Sequence, residues 1–264
     1  METHLEDLFP PGTEEHELLL KVDLDRLPRH IAVIMDGNGR WAEQRGLPRV
    51  QGHNAGSAAV REIVEASARL GIGFLTLYAF SSENWKRPRY EVGRLWRLLR
   101  EYLGKEDGLL VENDLRFKVI GRRKGIPALV LKEIERVETL TRENRHMTLV
   151  VALNYGGRDE IIDAVRRIMA EGRISAAGLD EKAFAGHLST AGIPDPDLLV
   201  RTSGEMRVSN FLLWQIAYTE IFVTPVLWPD FRGRHLIEAI IEFQKRDRRF
   251  GDVRAAAKSP RGRT

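Results

Sequence analysis

The chain has 264 residues, 41 basic and 38 acidic side chains, a net charge of +3 and no cysteine. That length supports one large α/β domain, and the missing thiol excludes disulfides, thiol catalysis and Cys-ligated zinc, which fits a reducing compartment. The near balance of charge, without a long basic run interleaved with aromatics, argues against nucleic acid.

Residues 1–20 are acidic at their start and contain Pro10-Pro11, unlike a signal peptide, and read as a flexible arm. No apolar run approaches the ~18 residues that cross a bilayer, so a soluble cytoplasmic protein is expected. From there strand-like and helix-like runs alternate. Short apolar runs predict strands at Ile31–Met35, Phe74–Phe80, Leu115–Ile120, Thr148–Leu153, Leu198–Val200 and Ile221–Thr224. Between them, Val60, Ile63, Val64 and Ala68 share a helical face, and so do Val92, Leu95, Trp96, Leu99 and Tyr102. Gly71 suits a helix C-cap. Pro127 suits the first turn of a helix running towards Asn144, and Asp230 suits the cap of a final helix through Ile237, Ile240 and Ile241. The alternation predicts a single α/β domain with a mostly parallel sheet surrounded by helices. Residues 252–264 read as a basic, disordered tail.

Right-handed crossovers bring every strand-to-helix loop to one sheet edge, where ligands of such sheets bind. Three of these loops carry chemistry. Asp36-Gly37-Asn38-Gly39-Arg40-Trp41-Ala42 follows the first strand. Arg201-Thr202-Ser203-Gly204-Glu205-Met206-Arg207-Val208-Ser209-Asn210 follows the fifth. Glycines let backbone amides approach an anion, and arginine forks grip phosphate oxygens in pairs. A carboxylate beside such a cradle needs a cation between itself and the anion, which makes Asp36 a candidate Mg²⁺ ligand. Ser81-Ser82-Glu83-Asn84-Trp85-Lys86-Arg87-Pro88 follows the second strand; a helix start capped by Ser82 is the simpler explanation of that segment alone. Arg49 and His53 open a helix, where anions are favoured. Gly37-x-Gly39-x-x-Ala42 formally matches a dinucleotide fingerprint. That fingerprint requires an acidic residue ending a second strand, and Ser57 to Glu62 lie in a helical pattern instead. No Walker-type loop and no Asp-Asp-x-x-Asp is present.

Together the segment His30 to Ala42, Gly52-His53-x-x-Gly56, Tyr78 to Pro88, Asn154-Tyr155-Gly156-Gly157-Arg158 and Asp197 to Gln215 resemble the cis-prenyltransferases, in the family's order across residues 26 to 251. The resemblance implies a homodimeric enzyme with a mostly parallel six-stranded sheet. It joins isopentenyl diphosphate to an allylic diphosphate, farnesyl diphosphate in the long-chain members, using Mg²⁺. It implies that Asp36 holds the metal, with Glu220 as the second ligand position. The backbone of Gly37, Asn38, Gly39 and Arg40, with Arg40, Arg49, His53 and Arg87, would take the allylic diphosphate. Ser81, Ser82 and Glu83 belong to the same wall, and Trp41 and Trp85 would line the entrance. Arg201, Arg207, Val208 and Ser209 would grip isopentenyl diphosphate. Asn84 holds the position assigned to proton transfer; a carboxamide is a poor base, so it reads as an orienter. Arg249-Phe250-Gly251 matches a C-terminal segment expected to reach a partner subunit. The long apolar product implies transient contact with the membrane surface.

Overall fold

The computed structural model describes residues 9–246. The basic tail, residues 252–264, and Arg249-Phe250-Gly251 lie outside them. Six strands form one sheet: β1 (His30–Ile34), β2 (Phe74–Ser81), β3 (Leu115–Ile120), β4 (Met147–Tyr155), β5 (Leu198–Arg201) and β6 (Glu220–Val223). Every pairing is parallel, in the order β3-β4-β2-β1-β5-β6. Each predicted strand is present, displaced by two residues at most. Eight α-helices are described: α1 (Glu14–Leu19), α2 (Asn38–Gln44), α3 (Arg49–Leu70), α4 (Arg89–Glu112), α5 (Ala128–Leu140), α6 (Gly157–Glu171), α7 (Glu181–Ala185) and α8 (Gly233–Gln244). The chain leaves β1 towards β2 on one side and later lays β5 against its other side. The strand order therefore reverses between β1 and β5, and a crevice opens beyond their carboxyl ends.

One sheet face carries Val33, Leu77, Leu149 and Val200 and packs against Ile63, Trp96, Ile134 and Ile237 of α3, α4, α5 and α8. The other face carries Ala32, Ile34, Val150 and Ala152, packed with Tyr155, Phe211 and Leu212. Because both faces are covered, the strands are continuously apolar rather than alternating. Gly71 closes α3 in the left-handed conformation at φ 84°, as its position predicts.

In the elements outside the site, the structure departs from the sequence reading in two places. The described part of the N-terminal arm is packed rather than loose. Phe9 is buried, Thr13 Oγ1 accepts the His16 N–H at 3.2 Å, and α1 lies against α8. Asp230 does not cap the last helix. It ends a 3₁₀ turn (Trp228–Asp230), and its carboxylate accepts from Trp41 Nε1 at 2.7 Å, while α8 starts after Arg232. In β2 the regular alternation of side chains is interrupted. A register shift between Tyr78 and Phe80 against β4 makes Ala79 a bulged residue. Leu77 and Phe80 consequently share the α3/α4 face, and Tyr78 packs on the other.

Gly52 sets how closely α3 approaches the loop after β1, because a methyl group there would lie 1.9 Å from the Asn38 carbonyl oxygen. That neighbour is backbone and cannot swing away. Gly52→Ala is expected to cost about 1–3 kcal/mol, lowering the melting temperature by roughly 2–4 °C per kcal/mol. At Gly93 in α4 an added methyl meets nothing within 4 Å. Gly93→Ala should instead hold or raise the melting temperature by calorimetry, since Ala is the better helix former.

Candidate active site

Arg201, the last residue of β5, is almost fully buried, and its guanidinium is the anchor of the site. A buried cation needs a counter-ion. Arg201 Nη2 donates to Asp36 Oδ2 at 2.9 Å, joining the loops after β5 and β1. Its Nη1 donates to Ser209 Oγ at 2.8 Å and to the Arg207 carbonyl. Thr202 locks the same junction from behind. Its hydroxyl donates to the Asp36 carbonyl at 2.7 Å and accepts the Asp36 N–H at 2.8 Å. Asp36 Oδ1 accepts the N–H of Gly37, whose φ of 105° turns the chain into α2.

The loop from Ser203 to Leu212 is held in unusual backbone conformations. Ser203, Ser209, Asn210 and Leu212 all have positive φ, between 45° and 74°. Such non-glycine residues cost of order 1 kcal/mol or more each and persist where surrounding bonds fix them. Asn210 supplies several. Its carbonyl accepts the Gly157 N–H at 2.7 Å, its Oδ1 accepts the Arg158 N–H at 2.9 Å, and its amide donates to Glu83 at 2.9 Å. Arg40 reaches from α2 to the Ser203 carbonyl at 3.1 Å and to Glu205 at 3.3 Å. Arg207 is exposed and rests on Glu205 at 2.6 Å. Val208 faces inward against the Tyr78 and Phe211 cluster.

The opposite lip is built by α3 and the turn after β2. The Arg49 guanidinium lies over Gly39, where a methyl would sit 2.8 Å from its Cζ. Arg87 pairs with Glu91 at 3.0 Å. Ser81, rather than Ser82, takes the cap position of the turn Ser82–Lys86, and its N–H donates to Asn84 Oδ1 at 3.1 Å. Trp85 Nε1 donates to Asn154 Oδ1 at 2.7 Å, and Arg45 stacks 4.1 Å over Trp41. Asp36, Gly37, Gly39, Arg49, His53, Arg87, Arg201 and Arg207 thus line one pocket, while Trp41, Trp85 and Ser82 are not among its lining residues. The same pocket, about 670 Å³ in all, continues beneath into a cavity walled by Leu77, Leu99, Leu103, Phe117, Leu149 and Val151, between the sheet, α3 and α4. The β2 bulge turns both Ala79 and Phe80 to this cavity.

Glu220 is the one sequence-derived site residue that this chain carries elsewhere. It starts β6 in register with Leu198, at the amino end of the sheet, and its carboxylate holds Arg246 at 2.8 Å. Parallel pairing puts it across the sheet from Asp36, so the two do not meet in one chain. Asp36 alone remains for a metal, and among the described residues no group of three His, Asp or Glu side chains forms a chelate. One carboxylate beside a cationic cradle still fits Mg²⁺, which binds through one or two carboxylates and completes its shell with water and substrate phosphates. Thr202 and Asn210, which fix the geometry, carried no signal in composition or spacing beyond their place in the polar loop.

Three buried polar atoms at the opening have no hydrogen-bond partner: Asn38 Oδ1, His53 Nε2 and Arg201 Nε. Orphaned buried groups clustered at an opening mark a place for a polar ligand. Burial, reinforced by Arg87, lowers the His53 pKa to about 4, so the imidazole is neutral at pH 7. A histidine lowered from 6.5 to about 4 favours the fold when uncharged. Its contribution is present above pH 6.5 and lost as pH falls towards 4. Between those values the unfolded chain binds the extra proton, worth about 1.4 kcal/mol per pH unit. His53→Gln should flatten the decline of stability between pH 6.5 and 4 in urea titrations, leaving the smaller slope from His30, whose pKa burial also lowers to about 4. An unchanged slope would refute the neutral, buried state of His53.

The Prenyltransf family model, that of undecaprenyl diphosphate synthase, matches residues 34–251. The isoprenyl transferase of Heliobacterium mobile is 51% identical over 246 residues, covering 92% of this chain and 95% of that protein. That of Chlorobaculum tepidum is 54% identical over 228 residues, covering 85% and 86%. Among solved structures, lavandulyl diphosphate synthase from Lavandula x intermedia in complex with dimethylallyl diphosphate superposes with a TM-score of 0.84 at 37% identity, over 86% of this chain and 99% of that one. A probable undecaprenyl diphosphate synthase from Campylobacter jejuni gives 0.72 at 32% identity, over 85% and 99%. With loops, sheet order and sequence in agreement, the chain belongs to the undecaprenyl diphosphate synthase family of cis-prenyltransferases.

Proposed function

We propose that this prenyltransferase extends farnesyl diphosphate with isopentenyl diphosphate units in Z geometry to a long polyprenyl diphosphate of undecaprenyl length, the lipid-carrier precursor for cell-wall glycans. The observation that carries this reading is the direct continuity, within one pocket of about 670 Å³, of a cationic, partly orphaned opening with an apolar interior. A diphosphate head and a hydrocarbon chain require those two environments in that order. The relative that holds dimethylallyl diphosphate supports an allylic substrate. The bacterial relatives support the long product.

In this assignment Gly37 to Arg40, Arg49, His53 and Arg87 hold the allylic diphosphate, and Arg201, Arg207, Val208 and Ser209 hold isopentenyl diphosphate. Arg201 also fixes Asp36, the residue that would hold Mg²⁺. The bound ion supplies charge neutralisation of the leaving diphosphate. The allylic C–O bond breaks, the new C–C bond forms, and a proton leaves the added unit. Asn84 Oδ1 already accepts the Ser81 N–H, so it positions the turn, and a diphosphate oxygen takes the proton. The protein acts in the cytoplasm as a homodimer and meets the membrane at its surface. An exposed apolar stripe on α6, Ile162, Val165 and Met169, supports a second copy as its cover.

Incubation with farnesyl diphosphate, labelled isopentenyl diphosphate and Mg²⁺, followed by chromatography of the dephosphorylated products, tests the assignment. Arrest after one or two additions would favour a short-chain synthase. Asp36→Asn keeps the size of the side chain and removes its charge. Turnover should fall about a hundred- to thousandfold with binding of farnesyl diphosphate retained, and near-normal turnover would reject the metal role. Ala79→Leu places an isopropyl group in the cavity, where overpacking is costly. Its products should be shorter than those of the wild type, and full-length product from this variant would move length control elsewhere.

A further inference from the structure

α4 has two unlike faces. Leu95, Trp96, Leu99 and Leu103 line the cavity. The other side of its first three turns shows Arg89, Tyr90, Arg94, Arg97 and Arg100 to solvent, with Tyr90 75% exposed. Between positions 86 and 100 the chain carries six basic residues and one acidic residue, Glu91. Glu91 is buried and already bound to Arg87. Lys86, Arg89, Arg94, Arg97 and Arg100 make no ion pair among the described residues, although Arg61, Arg122, Arg123 and Arg136 elsewhere each hold a carboxylate. This arrangement works against the helix. Arg89 sits in the first turn, where the macrodipole favours anions, and Arg94, Arg97 and Arg100 follow one another at three-residue spacing as like charges. A chain whose charges otherwise nearly balance concentrates uncompensated guanidinium on one helix face, beside an exposed tyrosine.

We infer that the outward face of α4 and the turn before it, through Lys86, Arg89, Arg94, Arg97, Arg100 and Tyr90, docks this protein on an anionic lipid surface, an inference that rests on the membrane contact proposed above. The chemistry matches on both counts. Lipid phosphates compensate the arginines, and a tyrosine ring seats at headgroup depth. The orientation follows from the helix. With its basic face on the bilayer, its apolar face holds the cavity about one helix diameter, roughly 10 Å, from lipid. Gly93 lies between the basic side chains and adds no bulk that would hold the helix off the surface. Nucleic acid would also answer the charge, but it would give no reason for the same helix to wall an apolar cavity.

The test is flotation of the full chain with phosphatidylcholine vesicles, with and without phosphatidylglycerol, at low and high salt. The wild type should float only with the anionic vesicles and be released by salt. At about fivefold in affinity per basic residue, Arg94→Gln/Arg97→Gln/Arg100→Gln should bind about a hundredfold more weakly. Its melting temperature should equal or slightly exceed that of the wild type, since like charges are removed from the helix, and its turnover in detergent should match. Tyr90→Ala, a substitution on an exposed position, should weaken binding as well and provides a second readout should the triple variant fold poorly. Equal flotation of the triple variant would assign any affinity to other basic segments and overturn the inference. So would equal binding to neutral vesicles, no binding at all, or binding to an oligonucleotide in place of vesicles. The assay contains no substrate, so its failure would leave the proposed reaction standing, and failure of the reaction assay would leave the docking surface standing.

Discussion

A guanidinium taken out of water must be answered by a carboxylate, and in this protein the carboxylate lies on another strand. Arg201 is buried at the end of β5, and its answer, Asp36, follows β1 at a distance of 2.9 Å. The pair forms only if β1 and β5 are neighbours in parallel register, which the reversal of strand order supplies. Removing one member would leave the other uncompensated, an error of several kcal/mol. The Ser209 hydroxyl and the Arg207 carbonyl accept from the same guanidinium, and the Thr202 hydroxyl holds the Asp36 backbone. The geometry of both polar loops therefore rests on this one contact.

The two halves of the site obey opposite rules. At the opening, polar atoms are left without partners and arginines face one another across a gap, an arrangement that costs stability until an anion arrives. Below it, the wall is hydrocarbon contributed by the sheet, α3 and α4. Gly52 and Gly39 join the halves, because their missing side chains let α3 and Arg49 close over the loop after β1. A small backbone clearance thus determines whether the cationic lip stands directly above the apolar cavity.

Most of the fold was legible because both sheet faces are covered. Strands such as Leu198 to Val200 are then uninterrupted apolar runs, and their ends are marked by abrupt changes to glycine, arginine and hydroxyl residues. The site was legible for the same reason, since parallel strands deliver those ends to one edge. What escaped depended on conformation rather than composition. Asn154, Ser203, Ser209 and Asn210 adopt positive φ, which no non-glycine residue announces. The tie of Trp41 to Asp230 links segments far apart in the chain, so Asp230 read as a helix cap. Glu220 was placed by resemblance alone, and the register of β6 carries it to the other end of the sheet. The packing of Phe9 and α1 against α8 was hidden because a short amphipathic turn near an acidic terminus looks the same whether docked or free.

The bulge in β2 bears on how this enzyme fold can diversify. In a regular strand, consecutive side chains serve different faces, so a change at one position leaves the next one's environment untouched. Here Ala79 and Phe80 are adjacent in sequence and share one wall, where Phe80 packs 4.4 Å from Trp96 and 5.2 Å from Trp85. Volume can therefore be moved between a small and a large residue on the same surface by exchanging neighbours, with the total nearly conserved. Loss of a single residue from this strand would do something different in kind. It would remove the bulge and restore the alternation, with Tyr78 and Phe80 as direct neighbours on opposite faces, so the wall would keep its phenyl ring against the two indoles and lose its small residue. Substitution would grade the shape of this wall, and deletion would leave only its large residue.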